Sequence, residues 1–106
     1  MNHLDSKSYE EFINSAEKCV VDFYATWCGP CKAMNPVLEN VQSEVGDGKI
    51  FKVNVDENRD LVEKLGIRSV PTFIFYEKGE EKERKSGMIS KNHLIESLTV
   101  QPIFTD

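Results

Sequence analysis

The amino-acid sequence predicts an α/β domain in which helices cover a mixed β-sheet. Signals for helices and strands alternate along the chain, and the run 19–25 (CVVDFYA) is almost wholly apolar, as in a strand covered on both faces. Helices between the earlier strands make those strands parallel. Lys78-Gly79 marks a tight turn, which predicts an antiparallel hairpin at one sheet edge.

Length and composition indicate one folded domain, residues 1–106. The chain has 40% hydrophobic and 29% charged residues, enough apolar material for a core. Its net charge of −5 argues against nucleic acid or an anionic membrane surface as the main partner. The first residues do not resemble a signal peptide, and no apolar run is long enough to cross a bilayer. We therefore expect a cytoplasmic monomer.

The first elements are a short helix and a buried strand. Ser8 and Glu11 have the spacing of a capping box, which predicts a helix beginning near Ser8. The apolar side of this helix is predicted to contain Phe12, Ile13 and Ala16. In the strand 19–25, only Asp22 interrupts the apolar run.

The longest predicted helix runs from about Cys31 to Gly46. Pro36 is expected to bend its first part, and Gly46 supplies the stop. Its apolar residues recur at helical spacing: Met34, Val37, Leu38, Val41 and Val45.

The second half continues with strand, helix and hairpin. Residues 49–56 and 70–76 are predicted strands, separated by a short helix that ends at Gly66. The charged segment 80–85 suits an exposed edge strand, where lysine and glutamate side chains discourage aggregation. Ser90 caps a last helix, which ends before Pro102. The residues of that helix predicted to face inward are Leu94, Ile95 and Leu98.

The segment 27–31 (WCGPC) is the motif that carries chemistry. It places the thiols of Cys28 and Cys31 one helical turn apart, where they can form and break a disulfide with little backbone movement. Cys28 falls at a helix N-terminus, where free N–H groups and the helix dipole favour a thiolate. We expect Cys31 to be more buried and protonated at rest, and to resolve a mixed disulfide formed by Cys28.

Two other interpretations of this cysteine pair remain. A structural zinc site needs four ligands, and the further candidates Cys19, His3 and His93 form no second close pair. The pair could also be a chance spacing of inert thiols. Three cysteines are too few, and odd in number, for the disulfide framework of a secreted domain.

Residues 21–41 (VDFYATWCGPCKAMNPVLENV) and 68–81 (RSVPTFIFYEKGEE) closely resemble the thioredoxin family. The likeness extends over nearly the whole chain. It implies a thioredoxin fold, with a central mixed sheet of five strands flanked by four helices. It also implies reduction of protein disulfides by a redox-active disulfide without a bound cofactor, and recovery of electrons from NADPH through a flavoprotein, thioredoxin reductase.

The resemblance assigns Asp22 and Lys52 to a buried pair near the cysteines. Burial within the apolar strand would raise the pKa of Asp22. The family pattern then makes Asp22 the general base that takes a proton from Cys31, through water, and makes Lys52 the lysine that approaches it. The alternatives are an aspartate on a partly wet face and a lysine that extends to solvent.

The resemblance also implies a surface that receives substrate. Most Xaa-Pro bonds are trans, but the family holds the Val70-Pro71 bond cis and presents the backbone of Val70 to an extended substrate. The apolar face around an exposed Cys28 thiol would comprise Trp27, Gly29, Pro30, Val55, Val70, Gly87 and Met88. Composition alone equally allows Trp27 to be an ordinary packed aromatic.

Some residues depart from the family pattern. Ser69 replaces a glycine, Tyr24 replaces a tryptophan, and the residues 103–106 have no functional explanation. Two interpretations of Cys19 remain: a small, buried hydrophobic residue or a regulatory thiol.

Two rival functions remain beside a reductant of client proteins. A related isomerase or oxidase usually carries histidine between the cysteines, whereas Gly29 and Pro30 place no imidazolium there. A binding module would clamp a partner protein without redox turnover.

Overall fold

The computed structural model describes residues 1–99, which form a three-layer α/β/α fold. The mixed sheet has the strand order β1-β3-β2-β4-β5. Strands β1, β3 and β2 are parallel, and β4 is antiparallel to both β2 and β5. The strands are β1 (Asn2–His3), β2 (Lys18–Tyr24), β3 (Ile50–Asn54), β4 (Thr72–Glu77) and β5 (Glu80–Ser86). The predicted parallel core and antiparallel edge hairpin are confirmed.

Four helices cover the two faces of the sheet. They are α1 (Tyr9–Ser15), α2 (Gly29–Val45), α3 (Arg59–Leu65) and α4 (Lys91–Leu98). Buried side chains of α1 and α3 pack with Phe23 on one face, and those of α2 and α4 pack with Phe73 on the other. No helix within residues 1–99 combines the length and apolar character that a membrane span requires.

The first helix begins next to Ser8, as predicted, but without the predicted side-chain cap. Ser8 has helical backbone angles, and its side chain caps no helix N–H group, so the predicted capping box with Glu11 is wrong. Instead, the Asp5 carboxylate accepts hydrogen bonds from the N–H groups of Lys7 and Ser8, at 3.0 and 2.9 Å. An aspartate three residues earlier turns the chain first and leaves Ser8 inside the turn.

Two further details differ from the sequence pattern. Strand β1 was not predicted, because two residues are too short for any alternation of apolar and polar side chains. Phe12 is exposed, and the buried residues of α1 are Tyr9 and Ile13.

The predicted cap of α4 is confirmed, since the Ser90 side chain accepts from the His93 N–H at 3.1 Å. Pro102 lies outside the described residues.

Replacing Gly66 by alanine is expected to destabilise the fold by about 1 kcal/mol. Gly66 ends α3 in the left-handed conformation, with φ +71°, and a Cβ there would meet nothing within 4 Å. The cost is therefore backbone strain alone, and Gly66→Asn should lose less because asparagine tolerates this conformation. Urea unfolding measures the stability of both variants. An alanine variant as stable as the parent would contradict the left-handed conformation assigned to Gly66.

Candidate active site

Cys28 and Cys31 are joined by a disulfide where β2 gives way to α2. Their Cα atoms lie 5.2 Å apart. The carboxyl end of the central strand and the first turn of the longest helix together set this spacing. The predicted reversible pair is therefore placed in a geometry that allows the bond.

Cys28 is the N-cap residue of α2, and its sulfur acts as the capping acceptor. The Cys31 N–H donates to Cys28 Sγ at 3.1 Å. Pro30 has no N–H group, so the Cys31 N–H is the donor that the first turn aims at this sulfur. When the disulfide opens, this donor and the positive end of the helix favour the Cys28 thiolate.

The expected difference in exposure between the two cysteines is absent in the disulfide form. Cys28 is 5% exposed and Cys31 is 3% exposed, so the expectation of an exposed Cys28 is wrong for this state. The physical reason is packing: the bonded sulfurs form one small apolar cluster with Ala25, against which Val55 and Val70 also pack.

Asp22 lies at the middle of β2 and is completely buried. Neither carboxylate oxygen has a hydrogen-bond partner among residues 1–99. Burial raises the pKa of Asp22 to about 6, although the positive charge of Lys52 acts in the opposite direction. The prediction of a buried carboxyl group is confirmed, and the alternative of a partly wet face is wrong.

Lys52 approaches Asp22 from the neighbouring strand. Its Nζ lies 3.8 Å from Asp22 Oδ2, and the residue is 7% exposed, so it does not extend to solvent. The same Nζ donates to Asn35 Oδ1 at 2.6 Å and lies 4.5 Å from the centre of the Tyr24 ring. The ammonium is thus enclosed by a carboxylate, an amide and an aromatic face.

Sequence reasoning missed Asn35. The available signal was its position four residues after Cys31, which puts both side chains on the same side of α2. A pocket of about 190 Å³ borders both residues and the neighbouring Thr26. Asn35 therefore links the surroundings of Cys31 to the buried lysine and aspartate.

A shallow apolar groove of about 220 Å³ lies next to the disulfide, because two of its lining residues, Val55 and Val70, pack against the cysteines. Its lining residues are Trp27, Val55, Val62, Ile67, Arg68, Ser69 and Val70. Trp27 is 69% exposed, and its Nε1 donates to Asp56 Oδ2 at 2.8 Å. This fixed but exposed ring does not fit the interpretation of Trp27 as an ordinary packed aromatic.

The proline loop borders the same region. The Val70-Pro71 peptide bond is cis, as the family resemblance implied. The Gly87 N–H donates to the Pro71 carbonyl at 2.9 Å, and Gly87 has φ +85°, a conformation that favours glycine. The structure exposes Gly29, Pro30 and Met88 on the surface.

The model of the thioredoxin family matches residues 1–100 of the chain. The chain belongs to the thioredoxin family. It is 40% identical over 96 residues to a thioredoxin of Rickettsia felis, covering 90% of this chain and 91% of that one. A thioredoxin of Mycoplasmoides gallisepticum is 39% identical over 99 residues, covering 92% and 99%.

Solved structures agree with this membership. The structure of Plasmodium falciparum thioredoxin matches with a TM-score of 0.84 at 31% identity, covering 93% of this chain and 100% of that one. Chloroplastic thioredoxin z matches with a TM-score of 0.79 at 33% identity, covering 91% and 88%. The predicted thioredoxin fold is confirmed, and the protein is a disulfide oxidoreductase whose redox-active group is the Cys28–Cys31 pair.

The third cysteine of the chain lies apart from the redox pair. Cys19 is a buried, free thiol on β2, and burial raises its pKa to about 11. A thiol that stays protonated is a poor nucleophile, which favours the packing role over the regulatory one. Among residues 1–99, no three His, Cys, Asp or Glu side chains cluster so that they could hold a metal ion.

Proposed function

We propose that this protein reduces disulfide bonds in client proteins. The observation that carries the proposal is the hydrogen bond from the Cys31 N–H to Cys28 Sγ at the start of α2. It provides a site for a thiolate beside an open apolar groove, where an extended peptide has room to lie.

The reaction begins when the Cys28 thiolate attacks one sulfur of a client disulfide. The client S–S bond breaks, a mixed disulfide forms, and the departing client thiolate takes a proton. The Cys31 thiol then loses its proton to Asp22, through water, and its thiolate attacks Cys28 Sγ. The mixed disulfide breaks as the Cys28–Cys31 bond forms, and the second client sulfur leaves as a thiolate that takes a proton from solvent. The client has then gained two electrons and two protons.

Side chains around the pair assist each part of this reaction. Asp22 serves as the general base because its raised pKa allows it to hold and release a proton near neutral pH. Lys52 keeps that buried carboxylate paired with a charge. Trp27, Gly29, Pro30 and Gly87 form the contact surface, and the backbone of Val70, held by Pro71, pairs with the client strand.

The residues between the cysteines favour a reductant over an oxidase or isomerase. Gly29 and Pro30 provide no imidazolium, so the Cys28 thiolate gains no extra charge partner within the motif. Additional stabilisation of the thiolate would make the disulfide a stronger oxidant.

We propose a cytoplasmic monomer whose disulfide is reduced by a flavoprotein thioredoxin reductase that uses NADPH.

Oxidation of NADPH in an insulin-reduction assay is expected only when this protein and a thioredoxin reductase are both present. The reason is that electrons must pass from the reductase through the Cys28–Cys31 pair to insulin. The assay follows NADPH absorbance with several bacterial reductases. A control replaces the reductase by a small dithiol. Turnover with the dithiol but with no reductase would refute the proposed electron donor and leave the disulfide chemistry intact.

A further inference from the structure

Asn35 holds the ammonium group of Lys52 more closely than Asp22 does. The distance from Nζ is 2.6 Å to the Asn35 amide oxygen and 3.8 Å to Asp22 Oδ2. Nitrogen and oxygen atoms in a hydrogen bond lie about 2.7–3.2 Å apart, and charged donors give shorter distances. The ammonium is therefore hydrogen-bonded to the amide and forms only a longer ion pair with the carboxylate.

From its position in the sheet, the Lys52 ammonium can reach either of these two acceptors. Asp22 and Lys52 are register partners on the adjacent strands β2 and β3, so their side chains start side by side. The ammonium is almost fully buried and needs an acceptor within the protein. A movement of about 1 Å would bring it to hydrogen-bond distance of the carboxylate. The acceptor that opposes this movement belongs to α2.

We propose that Asn35 is a positioning residue that draws the Lys52 ammonium away from Asp22 and so keeps this carboxylate able to accept a proton. The inference rests on the proposed role of Asp22 as the base for Cys31. A lysine hydrogen-bonded to the carboxylate would stabilise its charged form and make Asp22 a weaker base. The helix that carries Cys31 thus also adjusts the group that receives its proton.

Other titratable groups surround this pair, and the test must separate them from Asp22. The His3 side chain starts beside Lys52 on β1, and its Nδ1 lies 3.2 Å from the Tyr24 hydroxyl. Burial, followed by the charge of Lys52, lowers the pKa of His3, and burial raises the pKa of Tyr24. Further charged groups near this region are the N-terminal ammonium and Glu57, which both act on His3, and Lys32, which borders the pocket beside Cys31. Glu57 also acts on Tyr24.

Asn35→Ala is expected to lower the pKa of Asp22 by about half a pH unit or more, because the released ammonium moves onto the carboxylate. Residue-specific carbon NMR of labelled aspartate, in the oxidised protein, measures this value apart from His3. Asn35→Asp should raise the pKa of Asp22, since a like charge is added and the ammonium stays on α2. The two variants therefore shift the titration in opposite directions.

The matched control is Asn40→Ala, which changes an exposed asparagine on the same helix. Alanine favours a helix more than asparagine does, so both alanine variants gain some helix stability. Only Asn35→Ala should change the Asp22 titration. In a Lys52→Met background, Asn35→Ala should leave that titration unchanged, because Asn35 acts through the ammonium.

Three results would overturn the positioning role: an Asp22 pKa that rises in Asn35→Ala, one that stays constant, or an equal shift in the Lys52→Met background. The pH profile of disulfide exchange then tests the function on which the inference rests. If the NMR titration shifts as expected while the exchange profile does not, Asn35 positions Lys52 and Asp22 is not the base.

Discussion

Replacing Cys28 by serine abolishes the reduction of protein disulfides, to the rate that the assay dithiol alone supports. The variant retains an oxygen at the N-cap of α2, so the helix still has a capping acceptor. It has no thiolate, and a serine hydroxyl at neutral pH does not attack a disulfide. Insulin reduction with dithiothreitol as electron donor measures the loss.

Cys31→Ser should fail at a later step. Cys28 still attacks the client, but no second thiol resolves the mixed disulfide, so the variant remains covalently bound to its clients. Mass spectrometry of the trapped species identifies the linked cysteine as Cys28. A client trapped on Cys31 of the unsubstituted protein would contradict the proposal that Cys28 attacks first. Full turnover by Cys28→Ser or by Cys31→Ser would contradict it as well.

The double variant separates redox turnover from binding. With both Cys28 and Cys31 changed to serine, a protein that only clamps a partner would retain its activity, whereas a reductant loses it. Cys19→Ala is the matched control, since Cys19 is a buried thiol outside the pair. It should keep full turnover and lose about 1 kcal/mol of stability through the small cavity it leaves.

Replacing Asp22 by alanine should make the protein more stable at pH 8 by about 1–3 kcal/mol and slow disulfide exchange roughly 10-fold to 100-fold. In the folded protein the pKa of Asp22 is about 6, against an ordinary value of 3.8. The folded state therefore binds this proton more tightly than the unfolded state does. The exchange rate falls because Cys31 loses its base.

The sign of the stability effect follows from this difference in proton binding. Well below pH 3.8 both states hold the proton, and Asp22 imposes no ionisation cost. As the pH rises from 3.8 to about 6, the unfolded state ionises first and the folded protein loses stability. About two pH units of difference correspond to about 3 kcal/mol, and the loss of the counter-charge for Lys52 offsets part of the gain.

Urea unfolding of the Asp22→Ala variant at pH 4 and pH 8 tests this dependence. The gain in the free energy of unfolding should be fully present at pH 8 and much smaller at pH 4, where the unfolded carboxyl group is only partly ionised. Asp47→Ala, which changes an exposed aspartate, should alter stability by less than about 0.5 kcal/mol at both values. An Asp22→Ala variant less stable than the parent at pH 8 would contradict this prediction, because it would show that ionised Asp22 stabilises the folded protein.

Features that depend on neighbours along the chain were the most predictable. The long helix, the edge hairpin and the Gly66 stop follow from spacings of a few residues. The N-terminal region was less predictable, because Asp5 and Ser8 are both residue types that accept hydrogen bonds from nearby N–H groups. Only the folded backbone shows that Asp5 accepts from the Ser8 N–H and that the Ser8 side chain caps nothing. Strand β1 depends on pairing with β3, which no pattern of two residues reveals.

The sequence by itself determined the α/β class, the position of the two thiols at the start of a helix, and the resemblance to thioredoxins. These features depend on local periodicity, on helix-end chemistry and on the motif WCGPC. Only the tertiary structure decided that the disulfide is buried, that Trp27 is exposed, and that Asn35 and Asp22 share one lysine. The reason is that burial and hydrogen-bond choice depend on distances between strands and helices far apart in the chain.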